Sequence, residues 1–405
     1  MPVLTINPAL IMSYPLFSRP VISLLIAQFL SALADNAIFI AAIALLKIQG
    51  HLGWISLLQI SFLLAYIILA PYVGVFADGH TKNKVMFLAN SLKLLGGLSM
   101  LLMPYPLLSY CIIGIGAASY SPAKYGILPE LVSQDKLIRA NGLIESSTII
   151  AIIIGVVIGG IISDHSTHLL IIACSAVYLL SALMTVLIPS IPAKLHFSWR
   201  NVWLYTCEYF SDTAILWRDS SSRFAIIGTS TFWSVGATLR LLLFAWIPLA
   251  FLNTGNELPA NLMGVLSIGL AIGALTVGLW IHLGTVRRVI WPALFLGPLI
   301  IATLLAHSII HLGLIMILIG FCGGLFIIPL NALLQHRGTI LIGTGRSLAV
   351  QNFIENASML TLITVYGLAQ SYHLPMQWII SALGLLTFMA ILLLGCKTPQ
   401  PQGWG

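Results

Sequence analysis

Twelve long apolar runs, separated by short polar or Pro- and Gly-rich breaks, are the feature that most constrains the fold of this chain. A helix that crosses a bilayer needs roughly 20 predominantly apolar residues, and each run is about that long. The runs cover 21–46, 54–77, 85–103, 107–128, 142–162, 168–190, 223–250, 260–283, 289–306, 310–334, 346–370 and 375–395. We therefore expect an all-α membrane protein with twelve transmembrane helices.

The composition supports the same interpretation. Hydrophobic residues occupy 59% of the 405 positions, and charged residues occupy 7%. A soluble domain carries roughly 25% charged residues, so lipid has to cover most of this surface. Soluble enzymes, nucleic-acid-binding proteins and disulfide-rich secreted domains are excluded, although the net charge of +7 would by itself suit an anionic polymer. The five cysteines lie far apart, without the spacing of a metal site or a disulfide framework. We expect neither a metal nor a cofactor.

The basic residues predict the orientation. An even number of spans places both termini on one side of the membrane. Fourteen Lys and Arg residues at the ends of the spans or between them then fall on that side: Arg19, Lys82, Lys84, Lys136, Arg139, Lys194, Arg200, Arg218, Arg223, Arg287, Arg288, Arg337, Arg346 and Lys397. Only Lys47 falls on the other side. Because cytoplasmic loops carry the excess of basic residues, we expect a multi-pass protein with both termini in the cytoplasm.

The two sets of six runs repeat each other. Gly74 near the end of the second run and Lys84 after it match Gly278 near the end of the eighth run and Arg288 after it, at one offset of 204 residues. Further matches pair Pro122 with Pro329 and Glu145 with Glu355. Two six-helix units related by duplication are typical of a transporter that holds its substrate between the halves, near the bilayer midplane.

The repeat also predicts the domain organisation. We expect residues 1–190 to form the first six-helix bundle and residues 223–405 to form the second. Residues 191–222 would connect them on the cytoplasmic side. This linker places aromatic residues among polar ones, as an interfacial helix on the cytoplasmic leaflet would. An ordinary amphipathic linker is the alternative interpretation.

The connection between the second and third runs carries a recognisable pattern of residues: Gly74, Ala77, Asp78, Lys82 and Lys84. It resembles the loop signature of the major facilitator superfamily, whose glycine lets helices approach and whose acid and following bases fasten the cytoplasmic face. The resemblance implies a gating role for Gly74, Asp78, Lys82 and Lys84. Gly79 and Asn83 depart from the signature, because the superfamily usually has a base and a glycine there.

Six further segments are more specific: 27–37, 118–128, 136–148, 232–240, 328–335 and 350–356. They resemble the bacterial lysophospholipid transporters, in register, over nearly the whole chain. The resemblance implies the major facilitator fold, with two pseudo-symmetric six-helix bundles. It also implies import of lysophospholipid, chiefly lysophosphatidylethanolamine, into the cytoplasmic leaflet of the inner membrane. An acyltransferase/acyl-carrier-protein synthetase would re-acylate the lipid there, and we expect the transporter to be a monomer.

Two charges lie deep in the spans. Charge inside a bilayer is costly, so each such residue is a functional candidate. Asp35 lies 16 residues after Arg19, and Arg240 lies 17 residues after Arg223, which places both about 24 to 26 Å along their helices. We expect them to face a central cavity from opposite halves. One interpretation is an interdomain salt bridge; the other is that Arg240 binds the phosphate and Asp35 the ammonium of a zwitterionic head group.

Other polar residues complete the expected site. Besides Asp35 and Arg240, we expect substrate contacts from Gln28, Asn36, Tyr120, Lys124, Trp233, Gln351, Asn352 and Glu355. Lys124 would either hand the phosphate onward or extend to the cytoplasmic interface. Glu145 and Arg139 are expected to gate, because the superfamily uses similarly placed acids to bind loop bases. Glu355 would line the cavity or gate.

The alternative function is proton-coupled transport of a small soluble solute or drug through Asp35. Lipid passage needs a lateral, apolar opening, whereas a soluble solute needs closed helix seams. An enzyme is not expected, because neither a nucleotide-binding loop nor a Ser/His/Asp arrangement can be read from the spans.

Overall fold

The computed structural model describes residues 14–51, 54–102, 105–193, 197–251 and 257–396. Its helices are α1 (Arg19–Ile48), α2 (Ile55–Asp78), α3 (Lys82–Leu102), α4 (Pro106–Leu131), α5 (Gln134–His165), α6 (Thr167–Val186), α7 (Val202–Arg218), α8 (Ser220–Ala250), α9 (Glu257–Thr276), α10 (Ile290–Leu294), α11 (Leu296–Ala302), α12 (Ile309–Leu341), α13 (Thr344–Ser371) and α14 (Met376–Cys396). These ranges contain no β-strand, and the predicted all-α fold is confirmed. Lys194 and Lys397, which entered the charge count, lie outside the described residues.

Ten helical segments in the described ranges are long and apolar enough to cross a membrane. Helices α4 and α13 fall outside this set, because polar side chains interrupt their apolar sequence. The ninth predicted run is broken into α10 and α11, between 3-10 turns at Leu283–Val289 and Thr303–Leu305. Pro298 explains the break, since it has no N–H to bond to the carbonyl group of Leu294.

Helix α5 begins eight residues before the predicted run, at Gln134 rather than at residue 142. The prediction from apolar residues alone was too short. A helix can continue beyond the apolar layer of the membrane where its polar side chains contact water or other parts of the protein. Arg139 and Asn141 therefore lie on α5.

The helices pack as two bundles. In the first, α1 packs against α5 and α6, α3 against α4 and α6, and α2 against α4. In the second, α9 packs against α12, α8 against α12 and α13, and α11 against α14. The bundles meet where α2 packs against α13, which we call the first seam, and where α5 packs against α9, the second seam. The internal sequence repeat relates the two seams to each other, because α2 corresponds to α9 and α13 corresponds to α5.

Successive spans run in opposite directions. The end of α2 and the starts of α3, α5 and α13 therefore lie on the same side of the membrane as the start of α1. We call this side the terminal face. Residues at the terminal face make most of the contacts between the bundles described below.

Helix α7 belongs to the linker that connects the two bundles in the sequence. It packs against α2, α8 and α13. Its buried side chains include Tyr205 and Tyr209, whereas Trp203, Phe210 and Trp217 are exposed. The exposed aromatic residues are spaced by seven and so share one face of the helix. An exposed aromatic stripe of this kind is typical of a helix in the membrane interface.

Candidate functional site

An ion pair inside the first bundle joins α1 to α3. The Oδ2 atom of Asp35 lies 2.7 Å from Nζ of Lys93, and the Tyr178 hydroxyl donates to Asp35 Oδ1 at 2.8 Å. The Lys93 side chain is 2% exposed, whereas the Asp35 side chain is 22% exposed. Lys93 is thus enclosed by the bundle, while Asp35 also reaches its edge.

Lys93 is held by two further kinds of contact. Its ammonium donates to the Ser31 hydroxyl at 2.9 Å. It also lies 5.0 Å from the ring centroid of Tyr120 and 5.9 Å from that of Tyr178. An ammonium over aromatic faces gains electrostatic stabilisation. The predicted site residue Tyr120 therefore contacts the Asp35–Lys93 pair through its ring.

A chain of buried hydrogen bonds supports the pair from behind. Ser31 donates to Asn90 Oδ1 at 2.9 Å, and Asn90 Nδ2 donates to Ser181 Oγ at 3.0 Å. Ser181 in turn donates to the backbone carbonyl of Ala27 at 2.7 Å. The chain ties α1, α3 and α6 together, so the position of Asp35 is set by three helices.

The other predicted residues of α1 have supporting contacts. The buried Gln28 donates through Nε2 to Thr148 Oγ1 at 2.9 Å and fastens α1 to α5. Asn36 is half-buried and donates to the carbonyl of Ala32 on its own helix at 2.8 Å.

A second buried polar cluster lies in the second bundle. Gln351 Nε2 donates to Glu355 Oε1 at 2.7 Å and to Asn331 Oδ1 at 2.8 Å, with a longer contact of 3.3 Å to Thr229. Gln351 and Glu355 are both buried. The cluster connects α8, α12 and α13. Asn352, the neighbouring predicted residue, reaches the first bundle by donating to Ser121 of α4 at 3.2 Å.

Lys124 lies on α4 and is buried. Its ammonium is 4.0 Å from the ring centroid of Tyr125, whose hydroxyl donates to Glu145. Lys124 is close enough to Glu145 and Asp35 to interact with them electrostatically. No carboxylate of the described residues forms an ion pair with it. Lys124 is therefore a buried cation whose charge is not directly paired, and Glu145 binds a tyrosine rather than a loop base.

Arg240 and Trp233 lie seven residues apart on α8, and both side chains are exposed. Trp233 packs edge-on against Phe232, with ring centroids 5.4 Å apart. Asp35 forms its ion pair with Lys93 rather than with Arg240, and Arg240 has no ion pair with any described residue. The interdomain salt bridge that was one interpretation of Asp35 and Arg240 is thus not formed in this conformation.

The first seam is closed at the terminal face by Asp78. Its two carboxylate oxygens accept hydrogen bonds from the backbone N–H groups of Gly345 and Arg346, each at 3.0 Å. These groups belong to the first turn of α13, where a helix favours negative charge. A Cβ atom on Gly74 would lie 2.7 Å from Cα of Arg346, so only glycine fits there.

The bases of the signature have different roles. Lys82 is buried and lies 3.6 Å from Asp78 and 2.9 Å from Glu130, which links α2, α3 and α4. The Lys84 side chain is exposed, and among the described residues Lys84 donates only through its backbone N–H, to Oδ1 of Asn83 and to the carbonyl of Thr81. The structure therefore brings Gly74, Asp78 and Lys82 together and leaves Lys84 outside the contact.

The second seam has matching chemistry. Arg139 Nε donates to the carbonyl of Gly278 at 3.1 Å, and a Cβ on Gly278 would lie 2.3 Å from Cγ of Arg139. Ser146 donates to the carbonyl of Ala271 at 3.1 Å. The contact of Gly278 with Arg139 therefore repeats that of Gly74 with Arg346.

A reciprocal carboxamide pair joins α5 to α12. Asn141 Nδ2 donates to Gln335 Oε1 at 2.9 Å, and Gln335 Nε2 donates to Asn141 Oδ1 at 2.7 Å. Both residues are fully buried. The contacts of both seams and this pair close the space between the bundles toward the terminal face.

The linker helix adds two ion pairs. Arg346 binds Asp212 of α7, with Nε 2.6 Å from Oδ2. Arg337 binds Asp219, with Nη2 2.5 Å from Oδ1. Burial raises the pKa of Asp212, and the bonds from Arg346 do not fully offset this. Burial also acts to raise the pKa of Asp219, but hydrogen bonds from Arg337 and Ser222 outweigh it and hold that pKa below its usual value.

An apolar cavity of about 430 Å³ lies near the ends of α13 and α14 away from the terminal face. Thr238, Leu362, Tyr366, Trp378 and Leu386 are among its lining residues. All of its lining belongs to the second bundle. It is therefore not a lateral opening between the bundles.

Comparison with known proteins places this geometry in a family. Residues 24–348 match the Major Facilitator Superfamily. The lysophospholipid transporter LplT of Enterobacter sp. (strain 638) is 43% identical over 378 residues, which cover 93% of this chain and 95% of that protein. LplT of Serratia proteamaculans (strain 568) is 43% identical, covering 90% of this chain and 92% of that protein. The chain belongs to the LplT family of the major facilitator superfamily.

Solved structures agree on the fold. The human organic anion transporter TETRAN superposes with a TM-score of 0.74 at 17% identity, covering 93% of this chain and all of that one. The fucose:proton symporter FucP of E. coli gives a TM-score of 0.72 at 16% identity, covering 94% of this chain and 99% of that one. At these identities the likeness concerns the fold alone.

Lys93 is the residue of this LplT family member that sequence reasoning missed. It lies within the third apolar run, so the rule that singled out Asp35 and Arg240 applies to it equally. Tyr178 and Asn90 carried no such signal, because single aromatic or amide residues are common in apolar helices. Their importance comes from the partners that packing gives them.

Proposed function

We propose that this protein is a flippase that moves lysophosphatidylethanolamine and related lysophospholipids from the outer to the inner leaflet of the bacterial inner membrane. Relatives named lysophospholipid transporter, 41% to 43% identical over most of the chain, support the proposal. On this proposal the protein is a monomer with cytoplasmic termini, so the terminal face is cytoplasmic. An acyltransferase/acyl-carrier-protein synthetase then re-acylates the delivered lipid.

The observation that carries the proposal is the buried cation Lys124, which has no ion-pair partner among the described residues. The exposed guanidinium of Arg240 adds a second cation, for which the described part of the chain supplies no ion pair. Asp35 and Glu355 offer carboxylates from opposite bundles. A head group with one phosphate and one ammonium is complementary to this arrangement, because Lys and Arg bind phosphate and a carboxylate binds ammonium.

The closed seams give the order of events. Because the described contacts close the terminal face, we expect a head group to enter the site from the opposite side. Release at the terminal face requires Asp78 to leave the first turn of α13 and Arg139 to leave Gly278. The acyl chain stays in lipid while the head group passes through the polar site.

The proposal is tested with purified protein in liposomes and labelled lysophosphatidylethanolamine. Protein-containing vesicles should take up the lipid faster than empty vesicles, and Arg240→Gln should reduce uptake. Arg218→Gln is the matched control, because Arg218 is exposed on α7. If uptake equals that of empty vesicles while a pH gradient drives accumulation of a soluble solute, the proton-coupled alternative replaces this proposal.

The proposed orientation has its own test. Cys207 on α7 is exposed, and a membrane-impermeant maleimide should label it only in inside-out vesicles. Tyr372, between α13 and α14, is 78% exposed. Because Cys396 is exposed as well, Tyr372→Cys in a Cys207→Ser, Cys396→Ser background should be labelled only from the periplasmic side. Labelling of Cys207 in right-side-out vesicles would contradict the orientation.

A further inference from the structure

Resting on the proposed function, we propose that Lys93 is a specificity-determining residue, which sets head-group selectivity by acting as the internal counter-ion of Asp35. The proposal starts from the 2.7 Å ion pair between these residues. Lys93 reaches Asp35 from inside the first bundle, and the partly exposed carboxylate remains accessible from the edge of the bundle.

The surroundings of the Lys93 ammonium resemble a ligand site for an amine. One carboxylate, one hydroxyl from Ser31 and two tyrosine rings surround it. Proteins bind substrate ammonium groups with the same combination of acid and aromatic faces. Lys93 thus makes internally the interaction that the amine of a head group would make with the exposed side of the Asp35 carboxylate.

The consequence for selectivity is electrostatic. While Lys93 is charged, the pair is neutral overall, so Asp35 attracts an ammonium group only weakly and repels an anionic head group only weakly. Such a site accepts both lysophosphatidylethanolamine, which carries an amine, and lysophosphatidylglycerol, which does not. Without the Lys93 charge, the Asp35 carboxylate favours the amine and repels the anionic lipid.

Removing the charge tests this inference. Lys93→Met in liposomes should lower transport of both lipids but raise the ratio of lysophosphatidylethanolamine to lysophosphatidylglycerol transport roughly tenfold, the effect of about 1.4 kcal/mol in relative binding. Lys93→Arg keeps the charge and should keep the wild-type ratio. Ser31→Ala, which removes one hydrogen bond to Lys93 but no charge, is the matched structural control and should also keep it.

A second variant covers the case in which Lys93→Met does not fold. Asp35→Asn leaves Lys93 without its counter-ion and should shift competitive binding of the two lipids toward lysophosphatidylglycerol, the opposite direction. A purely structural Lys93 would lower transport of both lipids equally, so unchanged ratios in Lys93→Met and Asp35→Asn would overturn the inference. If the wild-type protein transports neither lipid above empty vesicles, the proposed function fails instead.

Discussion

Gly74 of α2 and Arg346 of α13 approach so closely that a Cβ atom on residue 74 would lie 2.7 Å from Cα of Arg346. Gly278 and Arg139 repeat this approach at the second seam. Gly74 thus permits contact with the backbone of α13, and Gly278 permits contact with the side chain of Arg139. Both contacts must separate before the terminal face opens. Because the chain is duplicated, the terminal face is closed at two equivalent sites, one at each seam.

Gly74→Ala should therefore destabilise the closed conformation. Overpacking of a tight contact costs about 1 to 3 kcal/mol, enough to shift a conformational equilibrium roughly fivefold to 150-fold. Labelling of a cysteine introduced at Ser121, beneath the seam, should become faster from the terminal face. Gly160→Ala is the matched control, because an added Cβ there meets no atom within 4 Å. Equal labelling rates in the two variants would contradict the role of Gly74.

The Asn141–Gln335 pair predicts a double-mutant pattern. Asn141→Leu leaves the buried Gln335 amide without its partner, which costs about 1 to 3 kcal/mol, so the melting temperature in detergent should fall. Replacing both residues by leucine removes the unpaired amide and should recover part of the loss. If the double variant melts below both single variants, the pair is not the reciprocal contact described above.

Lys124→Gln should reduce transport of lysophosphatidylethanolamine. Hydrogen bonds to charged groups contribute about 1.5 to 3 kcal/mol, which corresponds to a loss of roughly tenfold to a hundredfold in affinity. The melting temperature should not fall, because the substitution removes a buried charge that has no ion-pair partner among the described residues. Lys84→Gln, at an exposed lysine, is the matched control and should transport normally. Equal transport by the two variants would remove Lys124 from the site.

The linker acids should respond to pH in opposite ways. The pKa of Asp219 is lowered in the folded protein, so its contribution to stability is present above its unfolded pKa and is lost as pH falls through the folded pKa. The advantage of wild type over Asp219→Asn should therefore be larger at pH 7 than at acidic pH. The pKa of Asp212 is raised, so the advantage over Asp212→Asn should shrink as pH rises. Melting temperatures of wild type and of both variants, measured from acidic pH to pH 7, test these expectations. If the two differences from wild type changed with pH in the same direction, the assigned pKa shifts would be contradicted.

The sequence by itself determined the all-α character of the fold, the approximate position of most spans and the relation between the halves. Apolar runs of bilayer length leave the backbone no partner except its own helix, and the offset of 204 residues anticipated that Gly74 and Gly278 would lie at equivalent seams. Sequence resemblance also anticipated the family. These properties depend on the chain's local chemistry or on its ancestry, both of which can be read residue by residue.

Only the tertiary structure decided which charges meet. Asp35 and Arg240 share a depth along their helices, but depth does not specify the direction in which a side chain points or which helix lies beside it. Because α1 packs against α3 and α6, Asp35 contacts Lys93 and Tyr178 instead of Arg240. An ion pair requires contact within a few ångströms, and that distance is set by helix rotation and packing, which no single helix encodes.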